Sequence, residues 1–237
     1  EATIEYVDEF CINDPIYKLL AVELGGKLSG PGVNSNGEVD PKKLGVGNFK
    51  AIYTVDNGFC KSKDETTIQI KPLPVVNITD PGPICNDQLI QTLAAAPLKG
   101  KWSGLPDTLG KFKPNLLAPG NYKAYYNYTD LFGCKNADTL DIKINAKPFA
   151  IVSPTAQVCN SNTNGNTSIL DFETLVSAGD LSGTWTDVSG SGATGIFPNL
   201  DFINSTPGKY TFTYTTKSAQ IPCQESSYNV EVEVIDC

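Results

Sequence analysis

In the stretch GKYTFTYTT, residues 208–216, Tyr210, Phe212 and Tyr214 alternate with Thr211, Thr213 and Thr215. A period of two puts the aromatic residues on one face and the threonines on the other, the pattern of a strand with one side in a core. Short runs of the same kind recur along the chain. They are TIEYV (3–7), YKLLAVEL (17–24), NFKAIYTVD (48–56) and ETTIQIK (65–71), then VVNIT (75–79), QLIQTLAAA (88–96), NYKAYYNYTD (121–130) and DTLDIKI (138–144), and finally YNVEVEVI (228–235). Each is rich in β-branched and aromatic residues and is bounded by Gly, Pro, Asn or Asp, which predicts strands joined by tight turns. QLIQTLAAA also fits a helix, and DFETLVSAG (171–179) fits a turn of helix; these are the two exceptions to a strand reading.

The cysteines reveal a larger period. Cys11, Cys85 and Cys159 are spaced by 74 and 74 residues; Cys60 and Cys134 each follow their predecessor by 49, and Cys223 follows Cys159 by 64. Other landmarks share this frame. Leu28, Trp102 and Trp185 occupy one slot, as in GKLSG and GKWSG, and Phe49, Tyr122 and Tyr210 occupy another, each followed four residues later by Tyr53, Tyr126 or Tyr214. A period this long means tandem domains rather than a solenoid. We therefore expect an all-β chain of three tandem antiparallel β-sandwiches, 1–73, 74–148 and a longer 149–237, joined as a rod by short Pro-bearing linkers at 71–83 and 145–155.

Composition narrows the chemistry. The 237 residues carry a net charge of −8, with no His, no Met and no Arg. Losing His removes the usual general base and the commonest metal ligand, and losing Arg removes the bidentate clamp for phosphates and carboxylates. The acidic balance argues against nucleic acid as a partner, and no apolar run reaches the length of a membrane span, so no membrane insertion is expected. The chain does not begin with Met and reads as a processed chain or a segment.

Seven cysteines without a CxxC spacing read as a disulfide framework and an oxidising, extracellular setting. Pairing within each repeat gives Cys11–Cys60, Cys85–Cys134 and Cys159–Cys223, with Cys237 left over. One such bridge would add roughly 3–4 kcal/mol. The rival scheme joins Cys60–Cys85, Cys134–Cys159 and Cys223–Cys237. Its last pair is awkward, because the intervening strand YNVEVEVI would hold the two cysteines far apart.

The order Cys85, GKWSG, GKFKP, PGNYKAYY, TDLFGC and TLDIKI resembles the tandem Ig-like or PKD-like repeats of large Bacteroidota cell-surface adhesins, the SprB-type gliding adhesin family. The resemblance covers essentially the whole chain, through motifs that are architectural. It implies type IX secretion to the bacterial cell surface and a non-catalytic stalk or adhesive role. The partners it implies are neighbouring repeats of a long chain and a surface polysaccharide or other cell-surface ligand. It also implies O-glycosylation of Asp-Thr-aliphatic triplets, here at Thr108 and Thr139. The first repeat departs most from the pattern, with Leu28 for Trp and Phe49 for Tyr.

Trp102 and Trp185 have two readings, as sugar-stacking platforms or as core residues of a sandwich. Leu28 in the same slot favours the core, because leucine fills an apolar hole and offers no stacking face. Tyr122 and Tyr210, each after Gly, read as tyrosine-corner residues whose hydroxyls bond nearby backbone. The run NSNTNGN (160–166), with Asp171 and Glu173 nearby, is the one candidate calcium loop. Calcium sites recruit several carboxylates and this run is mostly Asn, so no cofactor is expected. Insertions in the third repeat, around 189–194 and 200–206, are where a binding surface would have been added. The runner-up functions are a carbohydrate-binding module array and accessory domains of a secreted hydrolase.

Overall fold

The computed structural model describes residues 1–5, 9–22, 25–163, 165–217 and 219–237. It is built of strands, with one short α-helix, Pro41–Leu44, and two single 3-10 turns, Pro114–Leu116 and Phe172–Leu175. No helix among the described residues is long and apolar enough to cross a membrane. The chain forms two compact units. One comprises 1–79, 93–110 and 124–140, and the other 80–92, 111–123 and 141–237, so residues of the middle repeat contribute to both.

The first unit is organised around the hairpin Gly47–Asp56 and Lys61–Lys71, in register from Gly47 opposite Ile70 to Asp56 opposite Lys61. Lys27–Ser29 adds to one side, with Leu28 opposite Tyr53. Phe10–Cys11 adds to the other, parallel to the last strand, with Cys11 opposite Lys71. Facing this sheet, Tyr17–Lys18 pairs with Glu38–Val39. Between the layers Phe10, Leu19, Val39, Ala51, Ile68 and Ile70 form a closed core, against which Leu28 and Phe49 pack. Middle-repeat segments in this unit pair as Ala94–Ala96 with Asn77–Thr79, and Lys101–Gly104 with residues 124–127.

In the second unit the corresponding sheet runs in the order Thr155–Cys159, Ser227–Ile235, Gly208–Thr215, Thr184–Asp187. Ile169–Asp171, Asn199–Asp201 and Thr194–Ile196 form a three-stranded sheet, and Ala150–Val152 pairs with Val176–Gly179. The core contains Phe172, Phe202, Phe212, Val230, Val232 and Val234, none more than 1% exposed. The alternation of GKYTFTYTT appears as read: Phe212 and Tyr214 are buried and the threonines between them are not. The middle repeat adds Gln91–Thr92 paired with Lys111–Phe112, and Ile84–Cys85 parallel to the end of the strand Lys135–Asn145.

The fold is all-β and Ig-like, with one local difference from the sequence reading. The sheets are mixed rather than purely antiparallel, because the first strand of each repeat's main sheet, the one ending in Cys11, Cys85 or Cys159, lies parallel to the last. It enters from a linker and not through a hairpin, so no turn dictates its direction. QLIQTLAAA gives two short strands around a buried Leu93, and DFETLVSAG gives a 3-10 turn followed by a strand. The ends of TIEYV and YKLLAVEL lie outside the described residues.

The disulfide framework is also different. The bridges are Cys11–Cys134, Cys85–Cys223 and Cys159–Cys237, and Cys60 is an exposed free thiol. The expected Cys11–Cys60 kind of pairing fails for a geometric reason. Cys11 lies beside Lys71, at one end of the strand Lys61–Lys71, while Cys60 immediately precedes its other end. Ten steps of a strand separate them by roughly 33 Å, against the Cα separations of 5.0–5.6 Å in the bridges formed. The third repeat repeats the geometry, with Cys159 beside Ile235 and Cys223 before Ser227. Cys237, two residues past Ile235, is therefore the near partner of Cys159 and not the odd cysteine. Non-reducing peptide mapping is expected to recover these three bridges and to find only Cys60 alkylated without denaturant. A peptide linking Cys11 to Cys60 would overturn the assignment.

Candidate functional site

The residues that recur in all three repeats converge on one fastener. Gly26, Gly100 and Gly183 donate their backbone N–H groups to the hydroxyls of Tyr53, Tyr126 and Tyr214, at 2.9, 2.6 and 2.8 Å. The hydroxyls of Tyr126 and Tyr214 in turn donate to the carbonyls of Pro97 and Asp180, each at 2.6 Å. The phenol ring lies where a side chain on the glycine would begin. A Cβ on Gly26, Gly100 or Gly183 would meet the tyrosine Cζ at 2.3, 2.4 and 2.4 Å, far inside contact distance. These tyrosines are 2–4% exposed, and burial pushes the Tyr214 hydroxyl above its ordinary pKa, so it stays a neutral donor and acceptor.

Leu28, Trp102 and Trp185 stand directly opposite these tyrosines on the neighbouring strand. Trp102 lies 4.7 Å from the Tyr126 ring and Trp185 5.0 Å from the Tyr214 ring, centre to centre. Both tryptophans are half-buried. Tyr122 and Tyr210, also half-buried, donate their hydroxyls to the carbonyls of Ala118 and Thr206, four residues upstream, at 2.8 and 2.9 Å. The second tyrosine of each repeat, visible in the spacing, had no role assigned from sequence. The glycine two residues before the tryptophan slot was the signal that pointed to it.

The tryptophan slot of the third repeat opens onto a pocket. A cavity of about 520 Å³ in the second unit is lined by Glu173, Val176, Leu181, Gly183, Thr184, Trp185, Phe197, Pro198 and Tyr214. Trp185 has two roles here, since it packs edge-on against the buried Phe172, at 4.9 Å, and presents its remaining surface to the pocket. Glu173 is the only carboxylate among these lining residues, and both bonds of the Tyr214 hydroxyl are already used inside the fastener. The arrangement offers an aromatic wall with the Glu173 carboxylate and the Thr184 hydroxyl at its rim. It suits the face of a ring.

The other sequence candidates lie apart from this pocket. In the run 160–166, Asn162 accepts from the N–H and hydroxyl of the buried Ser168, whose hydroxyl also reaches Asp201. Asp171 caps the turn that follows by accepting from the Glu173 N–H. Asn164 lies outside the described residues, and among those described no three His, Cys, Asp or Glu side chains group as metal ligands. Thr108 is exposed in a turn and Thr139 is exposed on a strand. The insertion at 189–194 is knotted onto Asp187, which accepts from the N–H groups of Ser189, Gly190 and Ser191. The insertion at 200–206 supplies Leu200 and Phe202 to the core. The first insertion thus stays largely an exposed loop, whereas the second feeds the second sheet and the core.

No protein-family model and no curated protein sequence matches the chain. Several solved structures of multidomain proteins align with the chain at low identity and with TM-scores below 0.5. A three-domain I-band fragment of titin aligns with 100% of this chain and 98% of its own at 10% identity and a TM-score of 0.46. The N-terminal eight Ig domains of Down Syndrome Cell Adhesion Molecule align at 11% identity and 0.44, over 98% of this chain and 36% of that one. Extracellular domains 3–5 of Drosophila OTK align at 13% and 0.37, over 99% and 97%.

The fastener is testable by itself. Tyr126→Phe leaves the Gly100 N–H and the Pro97 carbonyl without their partner and is expected to cost about 1–3 kcal/mol in urea denaturation. Gly100→Ala, which drives a methyl group into the ring, is expected to cost about 1–3 kcal/mol or more. Unchanged midpoints for both variants would mean that the fastener contributes nothing to stability.

Proposed function

We propose that this chain is a non-catalytic, load-bearing spacer of an extracellular adhesive protein, made of Ig-like repeats bounded near 1–73, 74–148 and 149–237. The observation that carries this reading is what the repeats hold in common. At the equivalent positions of all three, the recurring groups are a buried tyrosine, the glycine beneath it and a cysteine at the end of the first strand. All of these join strands, and none presents chemistry to a ligand.

The bridges support the same reading through their topology. Their loops overlap in sequence, so a pull on the two ends takes a short covalent route. The route crosses from Cys11 to Cys134, follows the chain to Cys159 and crosses to Cys237. The peptide segment on that route spans at most roughly 90 Å, whereas the unbridged chain between Cys11 and Cys237 would span roughly 800 Å. Three bridges also place the protein in an oxidising compartment. Together with the motif resemblance, this favours the surface stalk of a bacterial adhesin of the SprB-type gliding class, exported by the type IX route. Its partners in this reading are neighbouring repeats of the same long chain. Thr108 and Thr139 remain the proposed O-glycosylation sites, both on exposed backbone.

A second reading rests on the Trp185 pocket. A half-buried indole beside Phe197, with Glu173 at the rim, is the composition of a sugar-ring subsite, and it belongs to the longest repeat.

Single-molecule pulling is expected to give an extension limited by the bridges in oxidised protein, and one approaching the full contour length after reduction. Equal extension in both states would remove the load-bearing role. On a glycan array the spacer reading expects no saturable binding by the intact chain. Saturable binding abolished by Trp185→Ala would replace it with the carbohydrate-binding reading.

A further inference from the structure

Two of the three bridges follow one rule. Cys11, at the end of the first strand of repeat one, is joined to Cys134 at the hairpin tip of repeat two; Cys85, in the same place in repeat two, is joined to Cys223 before the last strand of repeat three. In both cases the residue opposite the first-strand cysteine also holds the incoming segment. Lys71, opposite Cys11, places its Nζ 4.2 Å from the centre of the Phe132 ring. Asn145, opposite Cys85, is 4% exposed and donates from Nδ2 to the Ile221 carbonyl at 2.8 Å, while its own carbonyl lies 3.5 Å from Cys223 Sγ. The clasp is head to tail: one repeat supplies the strand end and the next supplies the tip. A heterologous contact of this kind has two unlike halves, so any finite series leaves one half unused at each end.

The unused tip is present in this chain. Cys60 occupies in repeat one the place of Cys134 and Cys223, and it is the free thiol. Phe59 beside it is 98% exposed, whereas Phe132 in the occupied tip has Lys71 above its ring. The two hairpin tips are held alike. Asp130 accepts from the N–H groups of Phe132 and Cys134, and Asn57 accepts from those of Phe59 and Cys60. At the other end of the series Cys159, opposite Ile235, is closed by Cys237 instead of by a tip.

We propose that the Phe59–Cys60 tip is the receiving half of a repeat-to-repeat disulfide clasp. Its partner is another repeat of this fold that carries a cysteine at the end of its first strand. The inference goes beyond the spacer reading and rests on it only in taking the repeats as a tandem series. In the bond-forming step two thiols become one disulfide. The two electrons and two protons pass to a disulfide oxidant such as oxidised glutathione, which leaves as two thiols.

The probe is a second copy of the chain with a first-strand cysteine set free. In Cys237→Ser, equilibrated in a glutathione redox buffer, copies are expected to join through Cys60 and Cys159. Peptide mapping should find this linkage in about tenfold excess over Cys60–Cys60, the ratio that one modest contact supplies. Adding Cys60→Ser should abolish it. Cys134→Ser, which frees Cys11 in the same strand position, is an independent donor and should give Cys11–Cys60 between copies. The proposal is overturned if both donors leave Cys60 as its glutathione adduct, or if Cys60–Cys60 forms as readily. Neither outcome bears on pulling or glycan binding, so the spacer reading would fail or survive separately.

Discussion

The contact on which each repeat depends is the phenol of Tyr53, Tyr126 or Tyr214 laid over a glycine of the neighbouring segment. It does two jobs at once. The ring fills space at the edge of a thin core, and its hydroxyl satisfies a backbone N–H that would otherwise be buried without a partner. A small sandwich has few apolar residues to spend on closure, so a side chain that is both large and hydrogen-bonding is worth more there than an aliphatic one. Once the tyrosine is fixed, the slot opposite it is fixed as well. That slot takes whatever packs against the ring, which is leucine in one repeat and tryptophan in two.

A second device pins the segment that leads into the first strand. Asp64 accepts from the Ile4 N–H and Asp138 from the Ile78 N–H, while the Tyr228 hydroxyl accepts from the Ala150 N–H. The chemical group changes between repeats and the backbone donor does not. This is the expected drift when a position is constrained by one hydrogen bond and not by a ligand. The cysteines are constrained differently. Each first-strand cysteine sits at a strand end, beside the end of the last strand, and can be bridged only by a segment arriving there.

The strands and the all-β class were legible because alternation and turn residues are local signals. Phe212 and Tyr214 alternate in sequence because they alternate in space. The pairing of the cysteines was not legible, for an equally physical reason. Spacing says which cysteines are equivalent and says nothing about which end of a strand each occupies. The parallel placement of the first strand puts Cys11 and Cys60 at opposite ends of Lys61–Lys71, and no local pattern announces a parallel partner. The tyrosine fastener was half legible. Its glycine and its tyrosine both recur, but their contact joins positions 26 to 31 residues apart. That the 200–206 insertion feeds the core was not legible, because length alone does not distinguish a loop from an added strand. Leu200 and Phe202, apolar and two apart, were the available sign of a core-facing strand.

The tryptophan slot shows how a site can arise from such an architecture. In repeat one Leu28 is absorbed between two small core clusters. In repeat three the added sheet brings Phe172 and Phe197 into the core region, and Phe172 supports the indole of Trp185 from within. A side chain larger than leucine, held from behind and from one side, has surface left over, and that surface lines a cavity beside Phe197 and Glu173. The pocket is therefore a consequence of placing an indole in a slot dimensioned by a tyrosine. Selection for ring binding would have needed to alter only its rim, where Glu173 and Thr184 are exposed and free to change without disturbing the fold.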